Sequence, residues 1–140
     1  MALRSAAKAV HYEWLMAHVA MGQMAQAKRV GDKALENSTL ESFLIHARNI
    51  RDFFRFFCSD NDDVLARDYL GRTPRVKMPY IRKNRRRLNK RIAHLSYSRP
   101  RLSRGWQTGR MLKEIDGAMM TFQSRLRACG KRALPKIIQI

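Results

Sequence analysis

The chain has 140 residues, of which 45% are hydrophobic, and its formal net charge at pH 7 is +18. The length suggests one domain, and the apolar content excludes an intrinsically disordered chain. Seven glycines and four prolines are too few for a turn-rich β-protein. We therefore expect an all-α fold, a helical bundle of four main helices plus one short helix, in a single domain that spans residues 1–140.

The positive charge is confined to one half of the sequence. Residues 1–68 carry nine Lys/Arg and nine Asp/Glu, whereas residues 69–140 carry twenty Lys/Arg and only two acids, Glu114 and Asp116. A field of one sign repels itself and attracts polyanions. The sequence therefore predicts a basic surface concentrated in residues 69–113, with nucleic acid as the partner.

The positive charge could also form a surface that serves only solubility, or a surface that binds an anionic membrane. Solubility surfaces mix charges of both signs, and the cations here lack an adjoining exposed apolar stripe, so both alternatives are disfavoured. No run of about eighteen apolar residues exists, so we expect no membrane span. Two cysteines, Cys58 and Cys129, are too few for a disulfide framework, and reduced thiols favour a cytoplasmic protein.

Apolar residues at helical spacing predict the first two helices. The first covers residues 3–29 and ends at Gly31. The second begins at the sequence STLE, residues 38–41, which matches a capping box. The predicted core positions of the first helix are Val10, Trp14, Ala17, Met21 and Met24. Those of the second, the central core helix, are Phe43, Ala47, Ile50, Phe54 and Phe57, with Phe53 and Phe56 widening the face.

Three further helices are predicted after a turn at residues 59–63. A short helix over 64–70 ends at Gly71, and Pro74 and Pro79 bracket a loop. A basic helix follows over 80–97, and a last helix runs over 106–128. The core face of the basic helix is expected to contain Ile81, Leu88, Ile92 and Leu95, and that of the last helix Met111, Ile115, Ala118 or Met119, Phe122 and Leu126.

The sequence RRRLNKRIAHLSYSRPR, residues 85–101, is the densest cationic run of the chain. It contains six arginines, one lysine, one histidine and no acid. Arg87, Arg91 and His94 are spaced to lie on one stripe of the helix, with Lys90 beside them. Neighbouring cations lower the pKa of a histidine, so we expect His94 to be neutral near pH 7 and able to accept a proton.

A proton acceptor beside a phosphate-binding arginine suits RNA cleavage by the 2′-hydroxyl, because the nucleophile must lose a proton while charge develops on the phosphate. This chemistry requires no metal and no cofactor, and we predict neither. The alternative is that His94 is a structural histidine at the edge of the core, and spacing alone favours that alternative.

Three stretches resemble the HEPN family. RLNKRIAH, residues 87–94, is similar to the HEPN motif in which an arginine precedes a histidine by several residues. ESFLIHARNIRDFF, residues 41–54, and NKRIAHLSYSR, residues 89–99, resemble a group of bacterial HEPN-like proteins. HEPN domains are helical bundles, commonly dimeric, and many are metal-independent endoribonucleases of defence or toxin–antitoxin systems.

This resemblance implies that His94 and Arg87 are catalytic, that the protein forms a homodimer, and that an antitoxin or another protein is a partner. The surrounding cations would bind the nucleic acid: Arg82, Lys83, Arg85, Arg86, Lys90, Arg91, Arg99 and Arg101. Three polar residues are candidates for support of the site, namely His46, Arg48 and Asn89, on the hypothesis that His46 and Arg48 face the basic helix. A local ion pair between Arg48 and Asp52 is the alternative for Arg48. The alternative function is a non-catalytic nucleic-acid-binding helical protein or a ribonucleoprotein subunit.

Overall fold

The computed structural model describes residues 2–56, 62–93 and 105–130, with the side chains of all of these except residues 2–5, 91 and 93. Within the described residues it contains helices and no strand, which confirms the all-α prediction. Among the described helices three are long, rather than the predicted four. The helices are α1 (Ala2–Val30), α2 (Lys33–Phe53), α3 (Ala66–Leu70), α4 (Pro79–Lys83), α5 (Arg85–Ala93) and α6 (Thr108–Ala128).

The turn between α1 and α2 shows why the predicted start of the second helix is wrong. Gly31 has a φ of 71°, which lets the chain reverse, and Asp32 then caps α2 by accepting a 2.9 Å hydrogen bond from the Leu35 amide. Ser38, the predicted capping residue, lies inside α2, and its hydroxyl donates to the Leu35 carbonyl. The true cap is therefore Asp32, and α2 is longer at its beginning than the capping-box pattern predicts.

The core lies between α1, α2 and α6. Every predicted core residue of α6 is buried, as are Val10, Trp14, Ala17 and Met24 on α1, while Met21 is half-buried. Phe122 of α6 makes edge-to-face contacts with Phe53, at 5.1 Å between ring centroids, and with Tyr69 of α3, at 5.7 Å. The helical spacing of apolar residues thus predicted the packing faces of α1 and α6.

The aromatic end of α2 differs from the prediction at one position. Phe43, Ala47, Ile50 and Phe54 are buried, and so is Phe53. Phe56 is 61% exposed, because α2 ends at Phe53 and the helical spacing no longer applies beyond it. The prediction that Phe56 widens the core face is wrong, and Phe57 lies outside the described residues.

The predicted basic helix is divided into two. α4 starts with Pro79 at its first position and ends at Lys83, and Asn84 caps its end with a φ of −92° and a ψ of 14°. The Asn84 side chain donates a 2.9 Å hydrogen bond to the Tyr80 carbonyl, which is the local backbone contact by which asparagine competes with a continuing helix. α5 then starts at Arg85. Ile81 and Leu88 are buried and Ile92 is half-buried, whereas Leu95 lies outside the described residues.

Candidate nucleic-acid interface

Glu114 anchors the first short basic helix. Its carboxylate oxygens accept hydrogen bonds from the Tyr80 amide at 3.0 Å and the Ile81 amide at 3.1 Å, which are free amides in the first turn of α4. The Arg110 Nε lies 3.6 Å from the same carboxylate, which is only 10% exposed. A carboxylate is the favoured group at such amides. Glu114, which lies on α6, therefore stabilises the start of α4, and its buried carboxylate contributes little negative charge to the surface.

Asp116, the second acid of the basic half, holds α6 against α1. Its Oδ1 accepts from the Trp14 indole Nε1 at 2.7 Å and lies 2.7 Å from the His18 Nε2. Both acids of the basic half therefore contact groups other than the exposed side chains of α4 and α5.

The exposed cations of α4 and α5 form a surface that we call the cationic face, which consists of Arg82, Lys83, Arg85, Arg86 and Lys90. None of these five side chains makes an ion pair with any residue in the described parts of the chain. Lys33 shows the contrast, because it pairs with Glu36 at 2.7 Å. The cationic face is the kind of uncompensated positive surface that attracts phosphates.

Arg87, the predicted phosphate-binding residue, lies beside the cationic face and against an aromatic ring. The carbon at the centre of its guanidinium group lies 4.0 Å from the centroid of the Trp106 ring. This cation–π contact fixes the side chain from one side. The N–H groups of a guanidinium lie around the rim of its plane, so a ring stacked on that plane does not cover them.

A second arginine–aromatic pair adjoins the first. The Arg110 guanidinium lies 5.2 Å from the centroid of the Tyr80 ring, and the Tyr80 hydroxyl accepts a 3.1 Å hydrogen bond from the Gln107 amide. We call the four side chains Tyr80, Arg87, Trp106 and Arg110 the aromatic–arginine junction. Sequence reasoning missed its aromatic members as site residues. The available signal was the presence of aromatic residues within an acid-free cationic segment, a pattern typical of nucleic-acid surfaces.

Asn89 of α5, a predicted supporting residue, contacts a buried arginine of α2. Arg51 of α2 is 7% exposed and donates from its Nη2 to the Asn89 Oδ1 at 3.2 Å. The same Arg51 donates to the Asp52 Oδ1 from Nε at 2.8 Å and from Nη2 at 2.6 Å. This chain of contacts ties α5 to α2. The sequence signal for a buried Arg51 is its position as a single arginine among the apolar residues of the α2 core face.

The hypothesis that His46 and Arg48 face the basic helix is wrong. The His46 Nδ1 lies 2.7 Å from the Glu13 Oε2, on α1, and Asn49 donates to the same oxygen at 3.0 Å. Arg48 stays beside its own helix, with its Nε 3.8 Å from the Asp52 Oδ2, so the local ion pair is the correct alternative. Both side chains serve α1 and α2 and not the cationic face.

His94, Arg99 and Arg101 lie outside the described residues, as does the side chain of Arg91. The catalytic role of His94 therefore stays a prediction. Within the described residues, no group of three or more His, Cys, Asp or Glu side chains is arranged to hold a metal ion. None of the described helices combines the length and the apolar character that a bilayer crossing requires.

Comparison with protein-family models, with curated proteins and with solved structures found no match to this chain. The described geometry and the sequence patterns are therefore the basis for a functional proposal.

Proposed function

We propose that the protein binds RNA through the cationic face. The observation that supports this best is the segregation of charge: five exposed cations lie within nine consecutive residues of α4 and α5, without an acidic partner in the described residues, while Glu114 and Asp116 make other contacts. Keeping like charges close together on a surface is unfavourable unless a polyanion binds there. The backbone of RNA supplies a regular row of such anions.

The test of binding compares two variants of equal net charge. One carries Arg82→Ala, Arg85→Ala and Arg86→Ala, and the other carries Lys8→Ala, Lys28→Ala and Lys33→Ala on α1 and α2. Fluorescence anisotropy with labelled single-stranded RNA is measured over a range of salt concentrations. Log affinity falls as log salt rises, and each lost phosphate contact reduces the steepness of this fall by about 0.7.

We expect the arginine variant to bind more weakly and with a flatter salt dependence, because it removes the phosphate contacts themselves. The lysine variant should stay close to the parent. Equal losses in both variants would mean that net charge alone determines binding, and unchanged binding in the arginine variant would rule out the cationic face.

We further propose that the protein cleaves RNA without a metal, as many HEPN-like proteins do. The resemblance of residues 87–94 to the HEPN motif supports this proposal, and so does the position of Arg87, which Trp106 holds beside the cationic face. His94 would act as general base or acid, and Arg87 would stabilise charge on the phosphate, assisted by Lys90 and Arg91.

In a symmetric homodimer, two His94 side chains would supply the base and the acid from different subunits. Two basic surfaces then approach each other, so RNA or added salt should promote dimerisation. Sedimentation velocity with and without RNA measures this directly. A monomer under every condition, with cleavage intact, would exclude the shared site. By the same resemblance, the setting is a defence or toxin–antitoxin system with a protein partner.

Cleavage is tested with purified protein, labelled RNA and excess chelator. His94→Ala should lose cutting and keep its affinity for RNA, because other cations supply most of the attraction. Arg87→Ala should lose most of the rate and part of the affinity. A 2′-deoxy substitution at the cut position should block the reaction, and mass spectrometry should find 2′,3′-cyclic phosphate products. If the parent cuts no RNA, or if His94→Ala cuts equally well, the protein is a non-catalytic binder or a ribonucleoprotein subunit.

A further inference from the structure

The aromatic–arginine junction has features that phosphate binding alone does not require. Its two rings, Tyr80 and Trp106, pack against the core on one side and remain partly exposed. Each ring lies against an arginine, Arg110 and Arg87 respectively. Phosphates are bound by cations and amides, whereas aromatic rings stack on bases.

We infer that the aromatic–arginine junction binds an unpaired nucleobase by stacking, which makes the protein selective for single strands over duplexes. This inference rests on the proposed binding of nucleic acid by the adjoining cationic face. It adds a substrate class, because a phosphate surface alone does not distinguish a single strand from a duplex.

The junction is prepared for stacking before any ligand arrives. The hydrogen bond from the Gln107 amide holds the Tyr80 hydroxyl, and the packing of Trp106 against the core holds the indole. A ring that is already ordered loses little side-chain entropy when a base stacks on it. Arg87 covers one face of the Trp106 ring, so a base would stack on the part of the indole that stays exposed or on the guanidinium plane layered over it, and both are surfaces that base recognition uses.

The position of the junction accounts for the expected selectivity. Arg87 belongs to α5, the helix that also carries Arg85, Arg86 and Lys90 of the cationic face. A strand whose phosphates lie on that face can turn one unpaired base onto the neighbouring ring. A duplex presents the same phosphates, but its bases are paired and stacked internally and cannot do so without opening.

Tryptophan fluorescence provides a direct test. The chain has two tryptophans, so Trp14→Phe leaves Trp106 as the single reporter. Three ligands of equal length are compared: single-stranded oligothymidylate, a DNA duplex, and an abasic chain that has the phosphates but no bases. DNA carries no 2′-hydroxyl, so cleavage does not interfere. We expect the single strand to quench Trp106 and the abasic chain and the duplex to leave its emission unchanged.

Affinity measurements on substituted proteins complete the test. Trp106→Leu should weaken single-strand binding about tenfold and leave abasic and duplex binding within about twofold of the parent, because only the stacked base is lost. Trp106→Phe keeps a ring and should lose less than Trp106→Leu. Tyr12→Leu is the control, since Tyr12 is a 52% exposed aromatic residue on α1, away from the basic half in sequence. Circular dichroism confirms that each variant is folded.

The results separate this inference from the proposed function. Equal binding of the single strand and the abasic chain by the parent would overturn base stacking and leave phosphate binding by the cationic face intact. An equal loss for all three ligands in Trp106→Leu and Trp106→Phe would likewise overturn it, because Trp106 would then act only by positioning Arg87 for phosphates. Failure of all three ligands to bind would overturn both proposals.

Discussion

The neutral half and the basic half of the chain use their acids in different ways. In α1 and α2, carboxylates lie against cations or histidines: Glu13 contacts His46, and Glu36 contacts Lys33. In the basic half, Glu114 accepts from backbone amides, and Asp116 contacts an indole and a histidine of α1. Asp52 and Glu36 of the neutral half thus balance the charge of nearby cations, whereas Glu114 and Asp116 hold helices in place and leave the cationic face uncompensated.

The same contrast applies to packing. α1, α2 and α6 supply most of the buried apolar residues, and their rings meet around Phe122. α4 and α5 are short and contribute Ile81 and Leu88 to the core. Polar contacts from Glu114 and Arg51 attach these two helices to α6 and α2. The difference indicates that stability depends mainly on the long helices, whereas the proposed function depends on the short ones.

The largest expected effect tests the aromatic core of the neutral half. Phe54→Ala should lower the free energy of unfolding by about 3–5 kcal/mol, because it removes a buried ring and leaves a cavity. Phe56→Ala is the matched control two residues later, where the ring is 61% exposed, and should change stability by no more than about 0.5 kcal/mol. Urea unfolding followed by circular dichroism measures both. Similar losses for the two variants would contradict the described end of α2.

A smaller effect is expected at the contact that joins the two halves. Asp52→Ala leaves the buried guanidinium of Arg51 without its carboxylate, and we expect a loss of about 2–3 kcal/mol. This lies below the loss for a fully buried pair because the Asp52 side chain is 21% exposed. Glu36→Ala, which removes an acid from an exposed lysine pair, should cost at most about 1 kcal/mol. Equal melting shifts for the two variants would show that Arg51 does not depend on Asp52.

Glu114→Gln tests the carboxylate that holds the start of α4. We expect it to lower the free energy of unfolding by about 1–2 kcal/mol, because a neutral amide replaces a carboxylate that accepts two backbone hydrogen bonds. Arg110→Ala removes the ion pair with Glu114 and leaves both backbone hydrogen bonds to the carboxylate in place. Its side chain is 55% exposed and its Nε is 3.6 Å from the carboxylate, so its loss should cost no more than about 0.5 kcal/mol. Thermal unfolding compares the two, and a larger loss for Arg110→Ala would reverse the assignment.

Sequence reasoning succeeded where the relevant physics is local and periodic. Burial on one face of a helix repeats every three or four residues, so the core positions of α1, α2 and α6 followed from spacing. It failed at Phe56 because the spacing argument assumed a helix that had already ended. Helical spacing does not predict the division of the basic helix at Asn84, because a hydrogen bond from a side chain to a nearby backbone carbonyl leaves no periodic pattern in the sequence.

The candidate site was harder to predict because its contacts join distant parts of the sequence. His46 meets Glu13, which is 33 positions away, and Arg51 meets Asn89, which is 38 positions away. Arg87 meets Trp106, which is 19 positions away. Composition correctly located the exposed cations of α4 and α5, since solvent exposure of charged side chains is the general rule. Composition does not show which residue each buried polar side chain contacts.

The smallest expected effect concerns the repulsion within the cationic face. Replacing Arg82, Arg85 and Arg86 with Gln should raise the free energy of unfolding at low salt by about 0.5 kcal/mol, because like charges no longer repel. The gain should disappear in about 1 M salt, where the Debye length falls to about 3 Å. Replacing Lys8, Lys28 and Lys33 with Gln removes the same net charge, but Lys28 and Lys33 lie near Glu36, so stability at low salt should fall or stay constant. Urea unfolding at two salt concentrations cancels the effects of helix propensity, which salt leaves nearly unchanged. If both triple variants gain stability equally, the repulsion belongs to the whole molecule and the contrast between its halves has no energetic consequence.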